Sequence, residues 1–213
     1  MAEQRAAATA DPPRIVQAGD PVLRRATRAL TTDEIRGEAI QRLVAFMRDT
    51  MRGAPGVGLA APQIGESLRI AVIEDREEYL RAADAAWLAE RDRTPVPFHV
   101  IVNPELTVVD ADPAAFFEGC LSVEGYTAIV PRARAVRVSC LDELARPRTL
   151  EARGWYARIL QHEIDHLDGM LYVDRMRSRT FMTAANHARL WKDHAVETVC
   201  AELGDSRLSD GTS

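Results

Sequence analysis

The chain reads as an α+β fold. Three observations carry this: strand patterns cluster ahead of the later helices, regular βαβ alternation is missing, and no internal repeat is visible. Residues 1–13 are Ala-rich and close on Pro12-Pro13, which makes a loose tail. Residues 14–23 are extended or turn-like, because Pro21 follows Gly19-Asp20. A helix starts at Thr32-Asp33-Glu34-Ile35, and Leu43, Phe46, Met47 and Met51 recur at helical spacing until Gly53 and Pro55 stop it. That stripe is core packing. A strand follows over 69–73. Residues 75–97 form a surface insertion whose charged, Ala-rich portion, 77–93, is helical. Residues 98–103 and 105–109 read as two strands separated by Pro104, and 128–130 and 135–141 supply two more, rich in β-branched residues. A helix over 154–168 stops at Gly169, and a final helix runs from about Phe181 to Leu203. Residues 204–213 are a polar tail, which leaves 14–203 as one domain.

Composition narrows the function. The 213 residues hold 27 Lys plus Arg against 32 Asp plus Glu, a formal charge of −5. With 46% apolar and 28% charged residues, the chain can bury a core. This excludes a disordered chain, a collagen-like repeat and a disulfide-dense mini-protein, and it argues against a generally basic nucleic-acid binder while leaving a local basic patch open. Cys120, Cys140 and Cys200 are widely spaced and odd in number, as suits a reducing compartment. No apolar run nears the roughly 18 residues that span a bilayer. The N-terminus lacks an apolar h-region, and Glu3 and Asp11 speak against a transit peptide. A soluble cytoplasmic protein is the expectation.

The strongest local signal is His162-Glu163-Ile164-Asp165-His166. Histidines four apart on a helix project from one side and can grip one metal ion, and the Glu between them can reach a water on that metal. Steps of about 100° per residue gather Arg158, Gln161, Asp165 and Asp168 on one arc, expected to face solvent. Trp155, Ile159 and Leu167 occupy the opposite arc, and Glu163 falls inside it, where an unpartnered carboxylate is costly. The bland alternative is two surface histidines on a charged helix. A longer metzincin pattern fails, since Tyr172 stands where its third histidine belongs.

Two further islands carry chemistry. In Glu118-Gly119-Cys120-Leu121-Ser122-Val123, the glycine lets backbone approach closely and a thiolate beside a divalent cation would be deprotonated; a small buried hydrophobe is the other reading of Cys120. In residues 56–65, Gly56-Val57-Gly58-Leu59-Ala60-Ala61-Pro62-Gln63-Ile64-Gly65, small residues allow a backbone segment to lie against a ligand and Gln63 offers an amide donor. This island reads equally well as a tight turn leading into a strand.

Together, in order and spacing, the three islands resemble the signature motifs of peptide deformylases: G-φ-G-L-A-A-x-Q, E-G-C-L-S and Q-H-E-x-D-H-x-x-G. The similarity runs from about Ile15 to the start of the last helix, and 154–181 looks like the mitochondrial and actinobacterial-looking branch. The resemblance implies mixed and antiparallel sheets packed around a central helix that carries the HExxH motif, with an N-terminal and a C-terminal helix besides. It implies hydrolysis of the formyl group from the N-terminal methionine of new chains, with release of formate. It implies Cys120, His162 and His166 as metal ligands and Glu163 as the catalytic acid/base. Gln63 and the backbone N–H of Leu121 would form the oxyanion site, and Gly58 would bind the substrate backbone. Val57, Trp155 and Ile159 flank the motifs and are candidates for an apolar methionine pocket.

A Cys-His₂ set with a water suits Zn²⁺ and also accepts Fe²⁺, Co²⁺ or Ni²⁺; the resemblance implies Fe²⁺ in the cell, with frequent replacement by Zn²⁺ or Ni²⁺. Where many bacterial members carry an Arg after the Cys motif, this chain has Thr127. Arg175, Arg177, Arg179, Arg189 and Lys192 have no acid between them, and in deformylases the C-terminal helix is associated with docking at the ribosome exit region. Nascent formyl-methionyl peptides are the expected partners, with neither DNA nor a membrane. Three rivals make different demands: an endopeptidase needs a third His or acidic ligand downstream of His166, a non-catalytic binder should lack Glu163, Gln63 or a metal ligand, and a structural metal module needs a fourth ligand such as Cys140.

Overall fold

The computed structural model describes residues 15–205 apart from Ala82. The expected tails lie outside the described residues except for Gly204 and Asp205. After a 3-10 turn at Pro21–Arg24 come two α-helices, the short α1 (Thr32–Arg36) and the longer α2 (Glu38–Arg52). A capping box starts α1: the Glu34 N–H donates to Thr31 Oγ1 at 3.3 Å, and the Thr31 N–H donates to Glu34 Oε2 at 2.7 Å. Gly37, at ψ 146°, breaks what the periodicity predicts as one helix. The buried stripe of α2 is Ile40, Val44, Met47 and Met51, so the expected stripe is rotated and Phe46 is left 44% exposed.

Strands β1 (Gly58–Ala60), β2 (Ile70–Asp75), β3 (Val96–Glu118), β4 (Tyr126–Leu141) and β5 (Pro147–Arg153) form an antiparallel meander in that order. Between β2 and β3, the insertion holds α3 (Glu77–Leu80) and α4 (Ala85–Glu90) rather than one helix. Asp84 restarts the chain as α4 by accepting the N–H groups of Ala86 and Trp87. The strand pairs expected on either side of Pro104, and over 128–130 and 135–141, are each one continuous strand. Pro104 cannot donate to the ladder, so the β3–β4 register shifts between Val102 and Glu105. Beside that bulge, Asn103 takes φ 51° and its side chain bonds both backbone groups of Leu30.

The sheet lies between two helices. On β2, Ala71 and Ile73 pack toward α5 (Gly154–Leu167), with Ala157, Leu160, Ile164 and Leu167. Ile70 and Val72 face the other way, against Ile40, Val44, Met47 and Met51 of α2. Period-two alternation in the strand thus meets a helical stripe on each face. The helix expected over 154–168 is α5, at the centre of the domain.

Two expectations about surfaces are corrected. Arg158 and Asp165, assigned by rotation to solvent, are 4% and 5% exposed. Their arc lies against β4, where Arg132 and the Glu118 carboxylate at the end of β3 supply counter-charges, so the charged face is buried in pairs. Gln161 on the same arc bonds both backbone groups of Ala133. The single helix expected over 181–203 is also broken. Met182–Thr183, strand β6, pairs with Tyr126 and Thr127 of β4. Thr183 then caps α6 (Ala184–Asn186), a π turn follows over His187–Trp191, and α7 (Val196–Glu202) is the last element among the described residues. Arg175, Arg177 and Arg179 precede β6 and turn toward Asp165, Asp205 and the Leu203 carbonyl. Only Arg189 and Lys192 of the basic group lie in the π turn and just beyond it.

Candidate metal centre and active site

Cys120 sits in the loop that joins β3 to β4, while His162 and His166 project from successive turns of α5. One donor atom from each lies within 4.8 Å of the others. Cys120 Sγ is 3.3 Å from His166 Nε2, and the two imidazoles stand edge to face at 5.0 Å. Cys140 is in β4, packed in the core, and takes no part in the cluster. Nor does any His or acid downstream of His166 join it, among the described residues.

The surroundings orient these donors. Glu118 Oε2 lies 3.1 Å from His162 Nδ1. With the Nδ1–H directed at that carboxylate, Nε2 keeps its lone pair for a metal, the usual carboxylate–histidine arrangement. Burial opposes the charge on Glu118, but the Arg132 guanidinium and the His162 hydrogen bond hold its pKa far below the ordinary carboxylate range. Burial likewise opposes a charge on His162, yet its bonds to Cys120 and Glu118 carry its pKa well above the ordinary value. His166 goes the other way, lowered by burial and by the neighbouring His162. Arg132 completes the support: it donates to both oxygens of Glu118 at 2.6 and 2.9 Å and to Asp165 Oδ2 at 2.8 Å.

Glu163 is 4% exposed, and its Oε2 has no hydrogen-bond partner. Burial pushes its pKa up to about 7. Opposite it runs β1. A Cβ added to Gly58 would fall 2.2 Å from Glu163 Oε1, so only glycine lets the strand pass this close. Gln63 is 2% exposed and clamped: its Oε1 accepts the Ala60 N–H at 2.8 Å, and its Nε2 lies 3.3 Å from Ser122 Oγ and 3.6 Å from Cys120 Sγ. Among the described residues, no hydrogen bond engages the Leu121 N–H.

These groups open on one cavity of about 810 Å³, lined by Val57, Gly58, Gln63, Cys120, Leu121, Trp155, Ile159, His162 and Glu163. Every candidate from the sequence lines it except His166, which lies beneath the floor, 1% exposed. Ile159 also packs in the main core. Thr127 does not line the cavity; it is buried, and its Oγ1 donates to the Glu118 carbonyl. Sequence reasoning left Arg132 and Arg93 without roles and gave Glu118 none beyond its place in a motif. An acid two residues before a candidate thiol ligand was the available signal for Glu118. Nothing local marks Arg132, which reaches the site only through strand pairing.

The donor set fits a divalent cation: one sulfur and two imidazole nitrogens converge, and an unpartnered carboxylate oxygen stands nearby. A mononuclear metal-dependent hydrolase is the class that this fold and centre define. Residues 12–181 match the polypeptide deformylase family. The chain is 50% identical over 192 residues to "Peptide deformylase 1A, chloroplastic" of Solanum lycopersicum, covering 90% of this chain and 68% of that protein. It is 48% identical over 197 residues to "Peptide deformylase 3" of Streptomyces avermitilis, covering 92% and 86%. A crystal structure of a peptide deformylase from Synechococcus elongatus in complex with actinonin superposes with a TM-score of 0.67 at 36% identity, covering 88% of this chain and 92% of that one. The chain belongs to the peptide deformylase family, enzymes that remove the N-terminal formyl group from newly made polypeptides. No helix among the described residues is long and apolar enough to cross a membrane.

Proposed function

We propose that Cys120, His162 and His166 hold one divalent cation, Fe²⁺ in the cell with Zn²⁺, Ni²⁺ or Co²⁺ as replacements, and that Glu163 is the proton carrier of the deformylation. The observation that carries this reading is the convergence of the three donors within 4.8 Å beside an unpartnered, buried carboxylate. A cation bound there supplies a Lewis acid and brings the pKa of a water to near 7. Glu163 Oε2 accepts the proton of the attacking water and returns it to the amine nitrogen as the C–N bond breaks. A carboxyl group poised near neutrality suits both transfers. The Gln63 amide and the Leu121 N–H meet the negative charge that develops on the formyl oxygen. Gly58 and its strand run alongside the peptide backbone, and Val57, Trp155 and Ile159 receive the methionine side chain.

Formate release from formyl-Met-Ala-Ser under anaerobic conditions, with metal analysis of the same sample, tests the assignment. Glu163→Gln is expected to keep its metal and lose nearly all turnover; full activity in that variant refutes the proton-carrier role. Cys120→Ala is expected to lose metal, and unchanged metal content removes Cys120 from the ligand set. The three free cysteines support a reducing, cytoplasmic setting. Contact with the ribosome exit region falls to the exposed Arg189 and Lys192, since the other cations of the group are engaged within the fold. Equal co-sedimentation of the native chain and an Arg189→Glu, Lys192→Glu variant with ribosomes removes that contact.

A further inference from the structure

The insertion between β2 and β3 is built into the cavity wall. Its last turn lies directly on the first residue of α5: a Cβ on Gly154 would fall 2.6 Å from the Asp92 carbonyl oxygen and 2.8 Å from that of Arg91. Trp87 of α4 meets Trp155 at 6.2 Å between ring centroids. Arg93, at the insertion's end, lies over both rings, 5.5 Å from the centre of Trp87 and 5.3 Å from that of Trp155. Its Nε and Nη2 donate to the two oxygens of Asp75 at 2.8 and 3.0 Å, and Asp75 is 1% exposed. That grip leaves Nη1 without a hydrogen-bond partner among the described residues, and Arg93 lines the same cavity as Trp155, Ile159 and His162. Arg158 lines it too, but its terminal nitrogens are taken by Glu118 and by the carbonyls of Val130 and Ala114.

We propose that Arg93 is a specificity-determining residue that reads the tip of the first side chain of the formyl peptide, through a guanidinium donor set at the edge of the Trp155 wall. This rests on the pocket assignment made above. An all-apolar pocket would treat methionine and norleucine alike and would reject methionine sulfoxide, whose oxygen would be buried unpaired. A pocket with a free guanidinium N–H behaves differently. The polarizable thioether sulfur accepts a weak hydrogen bond and packs on the indole, which the norleucine methylene cannot match. A sulfoxide oxygen is a better acceptor still, so peptides that begin with formyl-methionine sulfoxide become substrates.

The test compares formyl-Met-Ala-Ser with the same peptide carrying norleucine or methionine sulfoxide first, by kcat/KM of the metal-loaded enzyme. The native chain is expected to favour methionine over norleucine about threefold and to process the sulfoxide within about tenfold of methionine. Arg93→Lys keeps a cation beside Asp75 but loses the planar fork. It is expected to bring methionine and norleucine to parity and to cost the sulfoxide peptide a further factor of about ten, with the change in KM rather than in kcat. An Asp75→Asn, Arg93→Gln pair buries no charge and provides the same comparison if the lysine variant does not fold. Parity of methionine and norleucine in the native chain, or native ratios in both variants, overturns the role of Arg93 while leaving the hydrolase intact. Absence of formate from all three peptides overturns the catalytic reading and this inference together.

Discussion

Replacing Glu163 by Gln is expected to stabilise the protein when metal has been removed by a chelator, and to do so only above acid pH. An unfolded glutamate titrates near 4.5, whereas folding raises this one to about 7 because its charge would lie in a buried site. Between those values the native state holds a proton that the unfolded state has released. Native stability therefore falls as pH rises through the window. The loss is complete above the folded pKa. A gap of 4.5 to about 7 corresponds to about 3 kcal/mol. The substituted amide is uncharged throughout and escapes this loss. For a chain of this size the difference is a rise in Tm of roughly 6–12 °C at about pH 8, shrinking toward zero near pH 4.5. Thermal unfolding followed by circular dichroism, on both chelator-treated proteins at the two pH values, reads it directly. A Tm difference that stays constant between the two pH values refutes the reasoning, because it assigns the effect to packing rather than to the buried charge.

Arg132→Met leaves Glu118 and Asp165 each short of a buried partner, although Arg158 and Arg175 remain to them. The expected loss is about 3 kcal/mol, at the low end for a broken buried pair, against about 0.5 kcal/mol for Arg137→Ala in an exposed pair; urea unfolding that gives equal losses for the two variants contradicts the burial argument. Gln63→Ala removes a donor clamped beside Cys120 and is expected to lower kcat about 10²- to 10³-fold with metal content unchanged, as steady-state formate release and metal analysis would show.

The most regular features were the most legible in the sequence. Helix α5, its end near Gly169 and the placement of His162, Glu163 and His166 on one side follow from spacing alone, because helical periodicity is local. The pairing of that helix with Cys120 is a long-range fact, and only the resemblance of the motifs anticipated it. Rotation about the helix axis misplaced Arg158 and Asp165 for a related reason. A charged arc reads as solvated until Arg132 and Glu118 arrive from other strands to neutralise it. Strand β5 carries an exposed Pro147-Arg148-Thr149 start with little apolar alternation, so its pattern is faint; its pairing with β4 makes it a strand. The C-terminal run is rich in helix formers, but β4 offers a free edge at Tyr126 and Thr127, and Met182 and Thr183 take it. The insertion shows the same limit. Its helical composition was readable, while its contact with Trp155 depends on Gly154 admitting the backbone at Asp92.

Glu118, Arg132, Asp165, Arg158 and Arg175 come from two strands, one helix and the loop that follows it, yet they form a single chain of alternating charge beneath the two histidines. Such a chain tolerates sequence drift poorly one position at a time, since a lone change takes from a buried ion one of the partners that offset its desolvation. Divergence here is therefore expected to arrive in matched pairs, and a library that randomises these positions jointly should recover active variants that single-site scanning misses.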